Sequence, residues 1–199
     1  MRFLLRVSFL LLLLTTAPAA RADVIGVFAD LTASYCQVTD TPGSKTLYVM
    51  HKYTLGSTGS RFRIELSDGF TGTLVSAPSP YSNVTGDPLT GVTINYDNTC
   101  ITGSEEILEL HFLFFGTSPE CSWVRAAAHP LSADGQLDAY DCAFARVPAG
   151  WGGTHVQSNP NIWCPDRGGG PDAPYYCWPY TPPLPTASAT WGAVKALYR

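Results

Sequence analysis

Glu109 and His111 lie two residues apart in the run "EILELHFLFF", a spacing that puts both on one face of a β-strand. A carboxylate beside an imidazole is the minimum needed for general-base work. The same pair also reads as an ordinary polar couple on the wet face of a central strand, and that reading is preferred. No "GxSxG" elbow, "HExxH" helix or glycine-rich phosphate loop accompanies it. The other histidines, His51, His129 and His155, form no motif with it. No residue is assigned a catalytic role.

Other chemistry-bearing residues are weighed in the same way. Glu105, Glu106 and Glu109 crowd one strand start, the pattern of a solvated edge more than of the two opposed carboxylates of a glycosidase. Asp68 in "DGF", or Asp97 and Asn98 in "YDN", supply loop oxygens of the kind calcium takes, without EF-hand spacing. No other cofactor or metal is expected. Asn83 heads an "NVT" sequon, a glycosylation acceptor wherever the export route adds glycans. Trp151, Trp163, Trp178, Tyr175 and Tyr176 are candidate ligand-binding rings, since aromatic faces stack on sugars. Buried rings that supplement a thin core are the structural alternative.

The six cysteines, Cys36, Cys100, Cys121, Cys142, Cys164 and Cys177, are an even set. Zinc ligands come in pairs spaced like C-x₂₋₄-C, and no two of these cysteines lie that close. Disulfides are expected, with fifteen possible pairings. The preferred set joins Cys121 to Cys142 across a hairpin at "SADGQ", Cys164 to Cys177 around a Pro/Gly-rich loop, and Cys36 to Cys100 as a long-range staple.

The elements that position these residues are strands. "TLYVMHKY" sets Leu47, Val49, His51 and Tyr53 on one side, and "RFRIEL" sets Phe62, Ile64 and Leu66 against Arg61, Arg63 and Glu65. "GVTINY" and "EILELHFLFF" repeat the period of two, and turn signals such as "DTPGS", "TGDPLTG" and "SADG" separate the runs. About nine strands and no helical period predict an all-β fold, an antiparallel β-sandwich of the Ig-like or cohesin-like kind. Its core is expected to hold Val27, Tyr35, Val49, Phe62, Ile64, Leu74, Ile94, Leu110, Phe112 and Val124.

Before the strands, "MRFLLRVSFLLLLLTTAPAARAD" has a basic start, a short apolar stretch and small residues, the layout of a signal peptide over 1–22. Cleavage is expected between Ala22 and Asp23. Removing Arg2, Arg6 and Arg21 from the 12 basic residues leaves nine against 16 acidic ones, a poor balance for nucleic acid. No later apolar stretch is long enough for a transmembrane helix. The expected organisation is a sandwich over 23–147, an aromatic Gly/Pro-rich extension packed on it over 148–180, a Pro-rich spacer over 181–189 and a short amphipathic tail over 190–199. In the tail, Trp191, Val194, Leu197 and Tyr198 make an apolar stripe at helical spacing, while Lys195 and Arg199 sit near its end. So short a helix needs something to fold against.

"TLYVMHKYTLGSTGSRFRIEL", then "DGFTGTLVS" and "GSEEILELHFLFFG", resembles the strand rhythm of cohesin-like β-sandwich modules over roughly 24–129. The ending "TWGAVKALYR" is similar to the tails of exported proteins of environmental bacteria. The first resemblance implies a module that binds a dockerin-type protein; neither supplies a catalytic residue. The expected function is an exported, non-catalytic surface or extracellular component with a tail docked on a protein partner or attachment machinery. A carbohydrate-binding module is the alternative, and a small secreted hydrolase the third reading. If the cysteine reading holds, thiol labelling of denatured, unreduced protein finds no free cysteine; any reactive thiol overturns it.

Overall fold

The computed structural model describes residues 23–157, 159 and 164. The strands are β1 (Val24–Phe28), β2 (Gln37–Thr39), β3 (Gly43–Leu66), β4 (Thr73–Ser76), β5 (Asn83–Asp87), β6 (Gly91–Asn95), β7 (Ile101–Phe114), β8 (Ser122–Ala128), β9 (Leu137–Asp141) and β10 (Arg146–Gln157). Among the described residues there is no helix, so none that could cross a membrane. The expected terminal helix, the spacer and most of the extension lie outside them.

β3 organises the molecule. Its first arm, 43–52, pairs antiparallel with β7 and β1. Its second arm, 57–66, pairs with β6 on one side and with β9 and then β8 on the other. The pairing directions show that the arms run oppositely. β1 is antiparallel to the first arm and parallel to β10. β10 is antiparallel to β8 and β9, which are antiparallel to the second arm. The chain therefore reverses at 53–56 and passes from one layer to the other. One layer runs β4–β7–β3–β1–β10, and the other runs β8 and β9 end to end beside β3, then β6 and β5. The pairings of β10 with β1 and β2 are parallel; all the others are antiparallel.

The reversal is built from residues that strands seldom tolerate. Tyr53 has φ of 61°, a left-handed conformation that a bulky side chain rarely adopts. A Cβ on Gly56 would lie 2.7 Å from Cys142 Sγ and 3.2 Å from Cys100 Sγ, so only glycine fits beneath that disulfide.

Alternate residues of both layers fill the space between them. Leu47, Val49, Phe62, Val92, Ile94, Tyr96, Leu108, Leu110, Phe112 and Val124 are wholly buried in one cluster. Most of the expected core is there, with Leu74 partly buried at its edge. Tyr35 is a correction: it is 65% exposed, in a loop on the outer side of β1. Asp30 organises that loop by accepting from the amides of Thr32, Ser34 and Tyr35. The loop covers a small second cluster of Phe28, Ala33 and Met50.

All three expected disulfide pairings are corrected. Cys100 bonds Cys142, and Cys121 bonds Cys164. Cys36 is also disulfide-bonded, and Cys100 is already taken by Cys142. The reason lies in the layout of β8 and β9. They form no hairpin, because both follow the second arm of β3: β8 opposite 62–66 and β9 opposite 57–61. Cys121, just before β8, and Cys142, just after β9, thus fall at opposite ends of the sandwich. Ser57 is in register with both Ile101 and Asp141, which brings their neighbours Cys100 and Cys142 together. Cys36 leads into β2 beside the far end of β10, away from Cys100. The expected boundary at 147 also moves, because β10 carries the sheet on to Gln157.

β9 is held by one buried carboxylate. Asp138 Oδ2 accepts from Arg61 Nε at 2.8 Å and Nη2 at 2.5 Å, and from Ser132 Oγ at 2.7 Å. Its Oδ1 accepts from Arg146 Nε. Burial alone would raise the Asp138 carboxyl, but the bonds from Ser132, Arg61 and Arg146 outweigh it and hold the group below the ordinary range. A depressed value stabilises the fold above the unfolded carboxylate range of about 4; that contribution shrinks as pH falls below it and is lost as pH falls through the depressed folded value. Asp138→Asn removes the charge from between two arginines and is expected to cost about 3–5 kcal/mol. Urea melts at pH 7 and pH 3 check both points: the deficit of the variant should shrink at the lower pH.

Candidate binding face

The outward side chains of the second layer form a row across β3 and β8. Glu65 stands opposite Arg125, and Arg63 stands opposite Ala127. Arg125 Nε and Nη2 reach Glu65 Oε2 at 2.8 and 2.7 Å, while Arg63 Nη2 reaches Glu65 Oε1 at 3.2 Å. The Arg125 guanidinium carbon lies 4.1 Å from the Trp123 ring centre and 5.1 Å from that of Trp151. The cation is thus held by a carboxylate and two indoles, which fixes a long side chain.

Period two explains the row. Trp123 and Arg125 alternate with the buried Val124 and Ala126, as Arg63 and Glu65 alternate with Ile64. Three of the four arginines of the described residues, Arg61, Arg63 and Arg125, belong to this layer, and the fourth, Arg146 at the start of β10, is tied to it through Asp138, in a chain that is acidic overall. Arg63 is the least committed. Its side chain is 41% exposed, and its one ion pair, to Glu65 at 3.2 Å, is longer than those of the other three arginines, while its Nε is buried without a partner. Sequence reading passed over Trp123 and Arg125, although "SWVRA" carries the alternation that exposes them.

Trp151 was expected as a ligand-binding ring; it is half-buried and packs on the main core cluster. Trp163, Trp178, Tyr175 and Tyr176 lie outside the described residues, as do the tail residues Trp191, Val194, Leu197 and Tyr198. Asn83 is exposed at the start of the edge strand β5. Asp68 and Asp97 sit in turns at opposite ends of the sandwich, and Asp97 accepts from Ser82 Oγ at 2.8 Å. Among the described residues no three of His, Cys, Asp and Glu gather where they could hold a metal.

His51 and His111 each have polar side-chain neighbours. His51 is buried, with Nδ1 2.9 Å from the Tyr96 hydroxyl and Nε2 3.5 Å from Asp23 Oδ2. Burial pushes the Tyr96 hydroxyl far up, so it remains protonated. His111 lies on the outer face of the other layer, its Nε2 2.7 Å from Glu109 Oε2, as the strand period implied. The fold adds a third member: Ser76 Oγ lies 2.9 Å from His111 Nδ1. Ser76, His111 and Glu109 have the connectivity of a serine–histidine–acid relay. They stand on an open sheet face, His111 and Glu109 being 36% and 37% exposed. Beside them Glu106 is raised, by its own burial and then by Glu109.

No protein-family model matches the sequence, and no curated protein sequence matches it. Among the solved structures that show some likeness to this chain are cohesin modules. The sixth cohesin of scaffoldin B from Acetivibrio cellulolyticus, solved in complex with a dockerin, has a TM-score of 0.49 at 12% identity, over 69% of this chain and 99% of that one. A cohesin module from a family 33 glycoside hydrolase of Clostridium perfringens has a TM-score of 0.47 at 5% identity, over 68% and 97%. A type II cohesin domain from the cellulosome of Acetivibrio cellulolyticus has a TM-score of 0.44 at 11% identity, over 68% and 90%.

An exposed ion pair contributes about 0–1 kcal/mol, so Glu109→Gln with His111→Gln is expected to leave the melting temperature within a few degrees. Incubation with a fluorophosphonate ester should leave Ser76 unmodified, as read by peptide mass. Labelling that disappears in the double variant makes Ser76 a nucleophile and the module an enzyme.

Proposed function

We propose that this chain is an exported β-sandwich module that works by binding a protein partner and performs no chemistry of its own. Residues 1–22 direct export, the module acts outside the cell or on its surface, and 190–199 is a docking or sorting tail. The partner meets the outer face of β5, β6, β3 and β8. The observation that carries this reading is the row Trp123–Arg125–Glu65–Arg63. Tryptophan and arginine dominate binding energies at protein interfaces, and here they are ordered in advance. Arg63, with donor capacity left over, suits a carboxylate on the partner. The same geometry argues against a sugar platform, because Arg125 already occupies a face of Trp123 that a sugar ring would need.

A photo-crosslinking residue at position 127, between Arg63 and Arg125, should capture a protein partner in the secreted fraction. Arg63→Glu should weaken that capture about tenfold or more, the scale of one lost charge-assisted contact. Capture from Thr46 on the opposite layer, with none from 127, would move the interface to the other face. Deleting 187–199 should leave melting nearly unchanged but misplace the protein; a truncated module that melts many degrees lower makes the tail a structural clasp.

A further inference from the structure

The two disulfides whose partners are both described differ in exposure. Cys164 is buried and Cys121 half-buried, whereas Cys100 and Cys142 are both exposed. The exposed bond sits where β3 reverses. Its inner side rests on Gly56, and the residues next to it are unusually bare: Leu55 is 75% exposed, Phe144 60% and Tyr53 40%. Tyr53 and Phe144 are both left-handed, with φ of 61° and 62°. Bulky residues persist in that conformation only when their surroundings hold them there. The bond joins the start of β7 to the turn after β9, and both flank Ser57.

We propose that Cys100–Cys142 is a site of thiol–disulfide exchange, taking a dithiol as co-reactant, and that its opening releases the corner of β3. A thiolate of the dithiol attacks Cys100 Sγ, the sulfur standing farther from the Gly56 position. A mixed disulfide forms, and the electron pair of the S–S bond leaves on Cys142 Sγ, which takes a proton from water. The second thiolate of the dithiol then attacks its own sulfur in the mixed disulfide and expels Cys100 as a thiolate. Two electrons pass to the module, and the dithiol becomes a disulfide. Exchange needs access to a sulfur along the bond axis, so exposure selects this bridge over Cys121–Cys164. Once open, nothing covalent holds the 141–145 turn against Gly56, and Tyr53 and Phe144 can leave their left-handed conformations. β9 ends at that turn, so the release reaches Asp138 and the arginines that it holds.

The folded full chain is titrated with dithiothreitol without denaturant, trapped with iodoacetamide and mapped by peptide mass spectrometry. Cys100 and Cys142 should be alkylated at reductant concentrations about tenfold or more below those that label Cys121 and Cys164. Chymotrypsin cleavage after Leu55 or Phe144 should rise over the same range. Labelling of Cys121 and Cys164 in step with Cys100 and Cys142 overturns the exchange site. Selective labelling without new cleavage at the corner overturns the release.

Discussion

The rest of the structure depends on the reversal of β3 at 53–56. A strand that stayed in one layer would give this sequence two unrelated sheets; folding back at Tyr53–Gly56 makes it the common member of both. Leu47 and Val49 on the first arm then face Phe62 and Ile64 on the second across one core. Because the direction inverts, the side-chain parity must be reset, and the register shifts between His51 and Ser57 do that. Gly56 and the disulfide are one device, since the sulfurs occupy the space that a side chain would take.

The face proposed for binding follows from that reversal. The second arm presents Arg61, Arg63 and Glu65 outward, and its pairing with β8 sets Arg125 and Trp123 beside them. Asp138 stabilises the arrangement from β9 by drawing Arg61 and Arg146 together, while Glu65 does the same for Arg63 and Arg125. Two carboxylates thus organise four arginines of an acidic protein, three of them on this layer and Arg146 at the start of β10. Side chains held by such contacts have little entropy left to lose in the proposed role. Its cation–π contacts also distinguish it from a bare aromatic platform, because the charge belongs to the surface itself.

The opposite layer uses its outer face differently. The loop organised by Asp30 folds over Phe28 and Met50, and Lys52 donates to Ala33 O at 3.1 Å to hold it there. Farther along, Ser76, His111 and Glu109 form a polar chain of the kind that hydrolases build. Connectivity alone is not catalysis. The rate enhancement of such relays comes largely from donors aimed at the developing oxyanion and from exclusion of water. On this open sheet face the same bonds link side chains on the neighbouring strands β4 and β7.

Local pattern by itself determined the all-β class, the facing of the strands and most of the core, because alternation is a property of neighbouring residues. It also placed Glu109 and His111 together, since i and i+2 share a face in any strand. Tertiary structure alone decided everything that depends on distant residues. The disulfide partners followed from β8 and β9 lying end to end, where a short turn at "SADGQ" had suggested a hairpin. Tyr35 was drawn outward because its loop bonds to Asp30, which periodicity does not register. Ser76 joined His111 through the pairing of β4 with β7, and Trp123 met Trp151 over Arg125 only because β8 lies beside β10. Hydrophobic period reports which way a side chain points; which strand lies next to it is set by the path of the whole chain.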